Sequence, residues 1–233
     1  MKRSKRFNEQ LSKLEKNKAY ELEPAISLMK DMATAKFDES VDVAIRLGVD
    51  PRHADQMVRG TVSLPHGTGK TVRVLVLTKG GKEKEAKDAG ADHVGLEEYV
   101  EKLQQGWMEC DVIIATPDVM STVGKLGRVL GPKGLMPNPK SGTVTFEVGQ
   151  AVKDVKAGRI DFRVDRNGIL HVAAGKASFS AVQIKDNVKA LLETIVRLKP
   201  TSAKGQYIRS VTLSTTMGPG IKLDRAAIME ELK

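Results

Sequence analysis

The 233-residue sequence has one cysteine, few aromatic side chains and no apolar run near the roughly 20 residues that a membrane-spanning helix needs. The lone Cys110 rules out an intrachain disulfide and a cysteine-based zinc site. His53, His66, His93 and His171 are scattered without ligand spacing, so neither a metal centre nor a nucleophile–histidine set is expected. Aromatic residues make up 4% of the chain, which argues against a sheet that stacks successive bases. The opening MKRSKRFNEQLSKLEKNK is basic but lacks the apolar core of a signal peptide, so a cytoplasmic protein is expected.

Acidic residues are also missing, and where they are missing the basic ones gather. Residues 119–146 contain none, around the stretch GKLGRVLGPKGLMPNPKSG that runs from Gly124 to Gly142. Lys125, Arg128, Lys133 and Lys140 supply charge, and Gly124, Gly127, Gly131 and Gly134 let backbone N–H groups approach an anion without a Cβ in the way. Pro132, Pro137 and Pro139 stiffen the stretch, and Leu130, Leu135 and Met136 are placed to pin it down. A solvated loop is the ordinary reading of a basic segment. The absence of any carboxylate favours a phosphate-facing surface. A second acid-free window lies between Glu193 and Asp224, and residues 1–20 hold seven basic side chains (Lys2, Arg3, Lys5, Arg6, Lys13, Lys16, Lys18) against two acidic ones. Phe7, Leu11 and Leu14 recur there at helical spacing, as in a basic helix that docks, although a frayed terminus has the same signature. The net charge of +9 draws the chain toward nucleic acid or an anionic membrane surface.

From Val72 the pattern alternates between apolar runs and amphipathic helices: VRVLVL, KEKEAKDAG, ADHVG, LEEYVEKLQQ, then DVIIA before Thr116-Pro117. This predicts a βαβαβα unit with a parallel sheet, a fourth strand at Thr143–Phe146 and a helix to about Ala157. The flanks differ. Val41, Val43, Ile45 and Leu47 alternate with polar or small residues, as do Ile160, Phe162 and Val164, and Asn167-Gly168 predicts a hairpin turn before Ile169–Ala173. A helix from about Pro24 to Ala35, a long helix with Ala181, Ile184, Val188, Leu191, Ile195 and Leu198 on one face, and a last strand from Tyr207 to Thr216 complete them. Neither flank has enough apolar surface to stand alone. The fold expected is therefore mixed α/β and α+β. Residues 1–67 and 159–233 would form a discontinuous domain with a split β-α-β arrangement, a four-stranded antiparallel sheet backed by two helices. Residues 68–158 would form an inserted Rossmann-like domain. Two side-by-side connections, near Gly67–Gly69 and Gly158, would then act as a hinge.

Motifs for nucleotide chemistry fail on inspection. HGTGKT at His66–Thr71 lacks the first glycine of a phosphate-binding loop, Leu64 standing there, and it precedes a strand where such a loop must follow one. Gly80-Gly81 is followed by no glycine until Gly90, so a dinucleotide fingerprint is absent. Gly131-Pro132-Lys133-Gly134 matches a KH-domain GXXG loop in chemistry only, since prolines follow where a helix is required. A nucleotide-dependent enzyme and a basic membrane-surface protein are the competing readings.

The last strand points to RNA. Thr212, Ser214 and Thr216 share one face, Val211 and Leu213 the other, and the strand runs into Met217-Gly218-Pro219-Gly220, a turn suited to ribose and base edges. SVTLSTTMGPG, ATAKFDESVDVAIRLGVDPRHADQMVRGTVSLPHGTGK and GKLGRVLGPKGLMPNPKSG together resemble the bacterial branch of the L-one family of large-subunit ribosomal proteins of the mobile stalk, and the likeness covers essentially the whole chain. The resemblance implies the two-domain, hinged fold and binding to large-subunit rRNA beside the exit site for tRNA. It further implies assistance in release of deacylated tRNA and repression of translation through the leader of its own mRNA. It implies a main RNA surface at Lys36, Phe37, Ser40, Ser178, Thr216, Met217 and Gly218, with a second contact at Lys125, Arg128, Gly131, Lys133, Gly134 and Lys140. Ser178, just before the long helix, is also placed to cap it. No enzyme activity, cofactor, metal or membrane partner is expected, and the free protein is expected to be a monomer.

Overall fold

The computed structural model describes residues 4–15 and 18–231, so Lys2, Arg3 and Lys16 of the basic N-terminal window lie outside the described residues. The chain separates into two compact units, Met1–Gly69 with Asp161–Lys233, and Lys70–Ile160. In chain order the first unit opens with α1 (Lys5–Ser12), α2 (Leu22–Met32), β1 (Ser40–Leu47) and β2 (Arg59–Ser63). The second unit carries β3 (Val74–Leu77), α3 (Lys82–Asp88), β4 (His93–Gly95), α4 (Glu97–Gln104), β5 (Val112–Ala115), α5 (Met120–Val123), α6 (Gly127–Leu130) and α7 (Val148–Lys156). The chain then returns through β6 (Arg159–Arg163), β7 (Ile169–Lys176), α8 (Ala181–Arg197), β8 (Ile208–Thr215), β9 (Ile221–Leu223) and α9 (Arg225–Glu231).

In the first unit a four-stranded sheet has the order β7-β1-β8-β9, with every pairing antiparallel. The period-two alternation of β1 is realised in full: Val41, Val43, Ile45 and Leu47 are buried. Their neighbours Asp42, Ala44 and Arg46 lie on the other face. The buried face is covered by α2, through Leu22, Ala25, Ile26, Met29 and Met32, and by α8, through Ile184, Val188, Leu191, Leu192 and Ile195. Ser180 starts α8 with a reciprocal capping box to Gln183, so the cap is two residues beyond Ser178. Asn187, fully buried on α8, accepts the His66 N–H and donates to the carbonyls of Gly67 and Ala174, tying residues 66–67 to this core. One expected pairing is different. The alternating strand at 159–163 does not join the four-stranded sheet but forms a separate two-stranded sheet with β2, and the fourth place is taken by the short β9.

In the second unit three parallel strands have the order β4-β3-β5. Alternate residues of β3 feed two cores: Leu75 and Leu77 pack with Leu103, Ile113, Leu126 and Leu130 on one face, Val74 and Val76 with Ala86, Val148 and Val152 on the other. That two-sided burial explains the unbroken apolar runs. The expected strand at 143–146 contracts to a single bridge between Ala115 and Val144.

Candidate nucleic-acid interface

At the start of β1 and the end of β8 the antiparallel pairing brings two sequence-distant segments together, residues 35–40 and 215–218. The Ser40 N–H donates to Thr216 Oγ1 at 2.9 Å and the Thr216 N–H donates to the Ser40 carbonyl at 3.0 Å. Phe37 and Met217 leave 54% and 48% of their surfaces exposed, so two large apolar groups stand in solvent beside the hydroxyl of Thr216 and the ammonium of Lys36. Isolated exposed apolar side chains are common, and here two of them stand at the same end of one sheet.

Glu39 organises this end. It continues the inward parity of Val41, Val43 and Ile45, so its carboxylate is directed into the unit and is 2% exposed. Burial alone would raise its carboxyl. The Met217 N–H at 2.9 Å, the Thr215 hydroxyl, the Ala35 N–H at 3.1 Å and the charge of Arg6 outweigh it and hold the group below the ordinary carboxylate range. One buried anion thereby clamps the 35–40 segment to the 215–217 turn. Thr215, also buried, follows the same parity as Val211 and Leu213. At Gly218 a Cβ would collide with Thr215 Oγ1, so the turn is compatible only with glycine while that hydroxyl holds Glu39.

Ser178 joins the same end from the β7–α8 connection. Its N–H and Oγ donate to the two oxygens of Asp38 at 3.1 and 2.8 Å, and Lys176 Nζ donates to Ser40 Oγ at 3.0 Å. Lys36, Phe37, Ser40, Ser178, Thr216, Met217 and Gly218 are thus collected at one end of one unit. On the outer sheet face, Thr212 and Ser214 flank this end as their alternation requires, and burial raises the half-buried Asp42 carboxyl opposite Ser214. Glu39, Thr215 and Asp38 were not among the expected residues. The first two were detectable, since a carboxylate and a hydroxyl at inward parity must be buried and therefore partnered.

Lys125, Arg128, Gly131, Lys133, Gly134 and Lys140 all lie exposed in the second unit. The first part of the stretch expected to be a loop is helical, a 3-10 turn at Gly124–Leu126 and α6 following directly on α5 with Leu126 and Leu130 buried beneath them, while residues 131–138 are not. Those two leucines are four residues apart, so burying both requires a helical turn despite the glycines. Gly124 and Gly127 have ordinary helical backbone angles, and nothing lies within 4 Å of where a Cβ would stand. Neither strain nor packing calls for glycine there. Asn138 accepts the Lys140 N–H and its own N–H donates to Thr143 Oγ1, fixing the stretch after the prolines.

Among the described residues no group of three His, Cys, Asp or Glu is placed to hold a metal ion. No helix of the described residues is long and apolar enough to cross a membrane. The profile of the ribosomal protein L1p/L10e family matches residues 29–219. A protein of Flavobacterium johnsoniae described as large ribosomal subunit protein uL1 is 58% identical over 225 residues, spanning 97% of this chain and 98% of that one.

Proposed function

The chain belongs to the ribosomal protein L1p/L10e family, and from that premise we propose that it is a non-catalytic constituent of the large ribosomal subunit that binds large-subunit rRNA. Its place of work is the cytoplasmic ribosome. The discontinuous unit is the main RNA-binding domain, with Lys36, Phe37, Ser40, Ser178, Thr216, Met217 and Gly218 as its contact surface. The observation that carries this reading is the Glu39 clamp: a buried carboxylate spent on presenting an exposed Phe37 and Met217, with hydroxyls and backbone beside them. RNA recognition through shape and 2′-hydroxyl groups needs such partners and does not need an aromatic sheet.

The inserted α/β unit supplies a second contact through Lys125, Arg128, Lys133 and Lys140, with bare helical backbone at Gly124 and Gly127 for close approach of phosphate. In the stalk the protein assists release of deacylated tRNA from the exit site, and off the ribosome it binds the leader of its own mRNA and represses translation. The free protein is a monomer. The test is to incubate it with fragmented total cellular RNA at physiological salt and sequence what stays bound. One dominant large-subunit rRNA region with a leader from its own message supports the reading; indiscriminate, salt-sensitive retention contradicts it. Repression is tested separately, with a reporter fused to that leader, whose output should fall when the protein is co-expressed.

A further inference from the structure

We propose that the first unit carries a second RNA-backbone site at the opposite end of its sheet, formed by Arg52, Arg163 and Arg166. A groove of about 840 Å³ is lined there by Pro51, Arg52, Met57, Arg163, Arg166 and Asn167, among others. It lies where the Asn167 turn meets the end of β1, the Leu47 N–H donating to the Gly168 carbonyl at 2.8 Å. The eight residues of β1 span about 25 Å, so this groove and the Ser40–Thr216 end are separate sites.

Three guanidinium groups from two chain segments converge on the groove, all exposed. Among the described residues none of them lies in an ion pair. Asp165 also lines the groove, its Oδ1 accepting the N–H groups of Asn167 and Ile169, both at 2.8 Å. Those bonds lower the Asp165 carboxyl and keep it ionised, so the groove sets three guanidinium charges against this one negative charge. Exposed arginines that line one groove without an ion-pair partner are open to an anion, and the planar fork of guanidinium matches a phosphate. No aromatic side chain lines the groove, which removes base stacking and leaves backbone binding. The predicted ligand is therefore the phosphodiester backbone of RNA, bound without sequence preference.

This proposal rests on the chain being an RNA binder, but its test is independent of the surface at the other end. Fluorescent short RNA duplex of arbitrary sequence is titrated into wild type and the triple variant Arg52→Gln/Arg163→Gln/Arg166→Gln, with thermal unfolding of each as a folding control. The rRNA fragment retained from total RNA is titrated in parallel. The triple variant should bind duplex about tenfold more weakly, with the salt slope reduced by about 0.7–0.9 for each phosphate no longer neutralised. The triple variant should keep wild-type affinity for the rRNA fragment. Unchanged duplex binding by the triple variant overturns the site, as does displacement of duplex by an acidic peptide at equal charge concentration. Failure of wild type to select any rRNA fragment would sink the proposed function while leaving the duplex measurement interpretable.

Discussion

A buried carboxylate contributes to folding only while its donors outweigh its desolvation, and Glu39 shows this balance at the Ser40–Thr216 end. Its carboxyl is held below the ordinary value of 4.5, so the stabilisation is complete above that pH and is lost as pH falls through the lower folded value. Glu39→Gln should accordingly flatten part of the acid limb of thermal stability, and an acid limb identical to wild type would contradict the clamp. Gly218→Ala should lower both the unfolding midpoint and rRNA affinity, because the new Cβ displaces the Thr215 hydroxyl that supports Glu39. Retained affinity would show that the turn tolerates a side chain. The exposure of Thr216 was expected from its alternation with Val211 and Leu213, whereas Phe37 and Met217 lie outside the strands and were expected from the family resemblance. The partnership of Ser178 with Asp38 was not, because it joins residues 140 apart in sequence, although the Ser180–Gln183 spacing already offered a local capping box to start α8.

Elements were legible where a period runs long. The face of α8 is continuous over several turns, and fully buried Ile184 sits within it; Ile184→Ala should cost about 2–5 kcal/mol and partly unfold the unit, and an unchanged denaturation midpoint would refute that core. Alternation in β6 correctly marks Phe162 as inward but says nothing of its partner, which is β2. β9 is three residues long, too short for any period to register. In the 124–142 stretch glycine and proline suggested a loop, whereas the burial of Leu126 and Leu130 imposes helical turns. Gly124→Ala and Gly127→Ala therefore separate folding from binding: each should raise helix stability by up to ~1 kcal/mol while weakening rRNA binding. Stabilised variants with wild-type affinity would remove this segment from the interface.

At the scale of the whole molecule, two compact units are each held by their own core, and their electrostatics titrate separately. In the second unit the Asp111 carboxyl is lowered to about 2, chiefly by the Lys70 ammonium and then by the Arg73 N–H. Its contribution is present above the ordinary 3.8 and disappears as pH falls toward about 2. Discontinuity was inferred because neither flank could bury its apolar face alone, an argument about area that needs no motif. Where RNA is held is tested most directly by equilibrium binding of the selected rRNA fragment to wild type and Met217→Ala across a salt series. A thioether carries no charge, so the predicted result is about tenfold weaker binding, ~1.4 kcal/mol, at every salt concentration, with the slope and the unfolding midpoint unchanged. Equal affinities for the two proteins would contradict the assignment of the Ser40–Thr216 end as the RNA site.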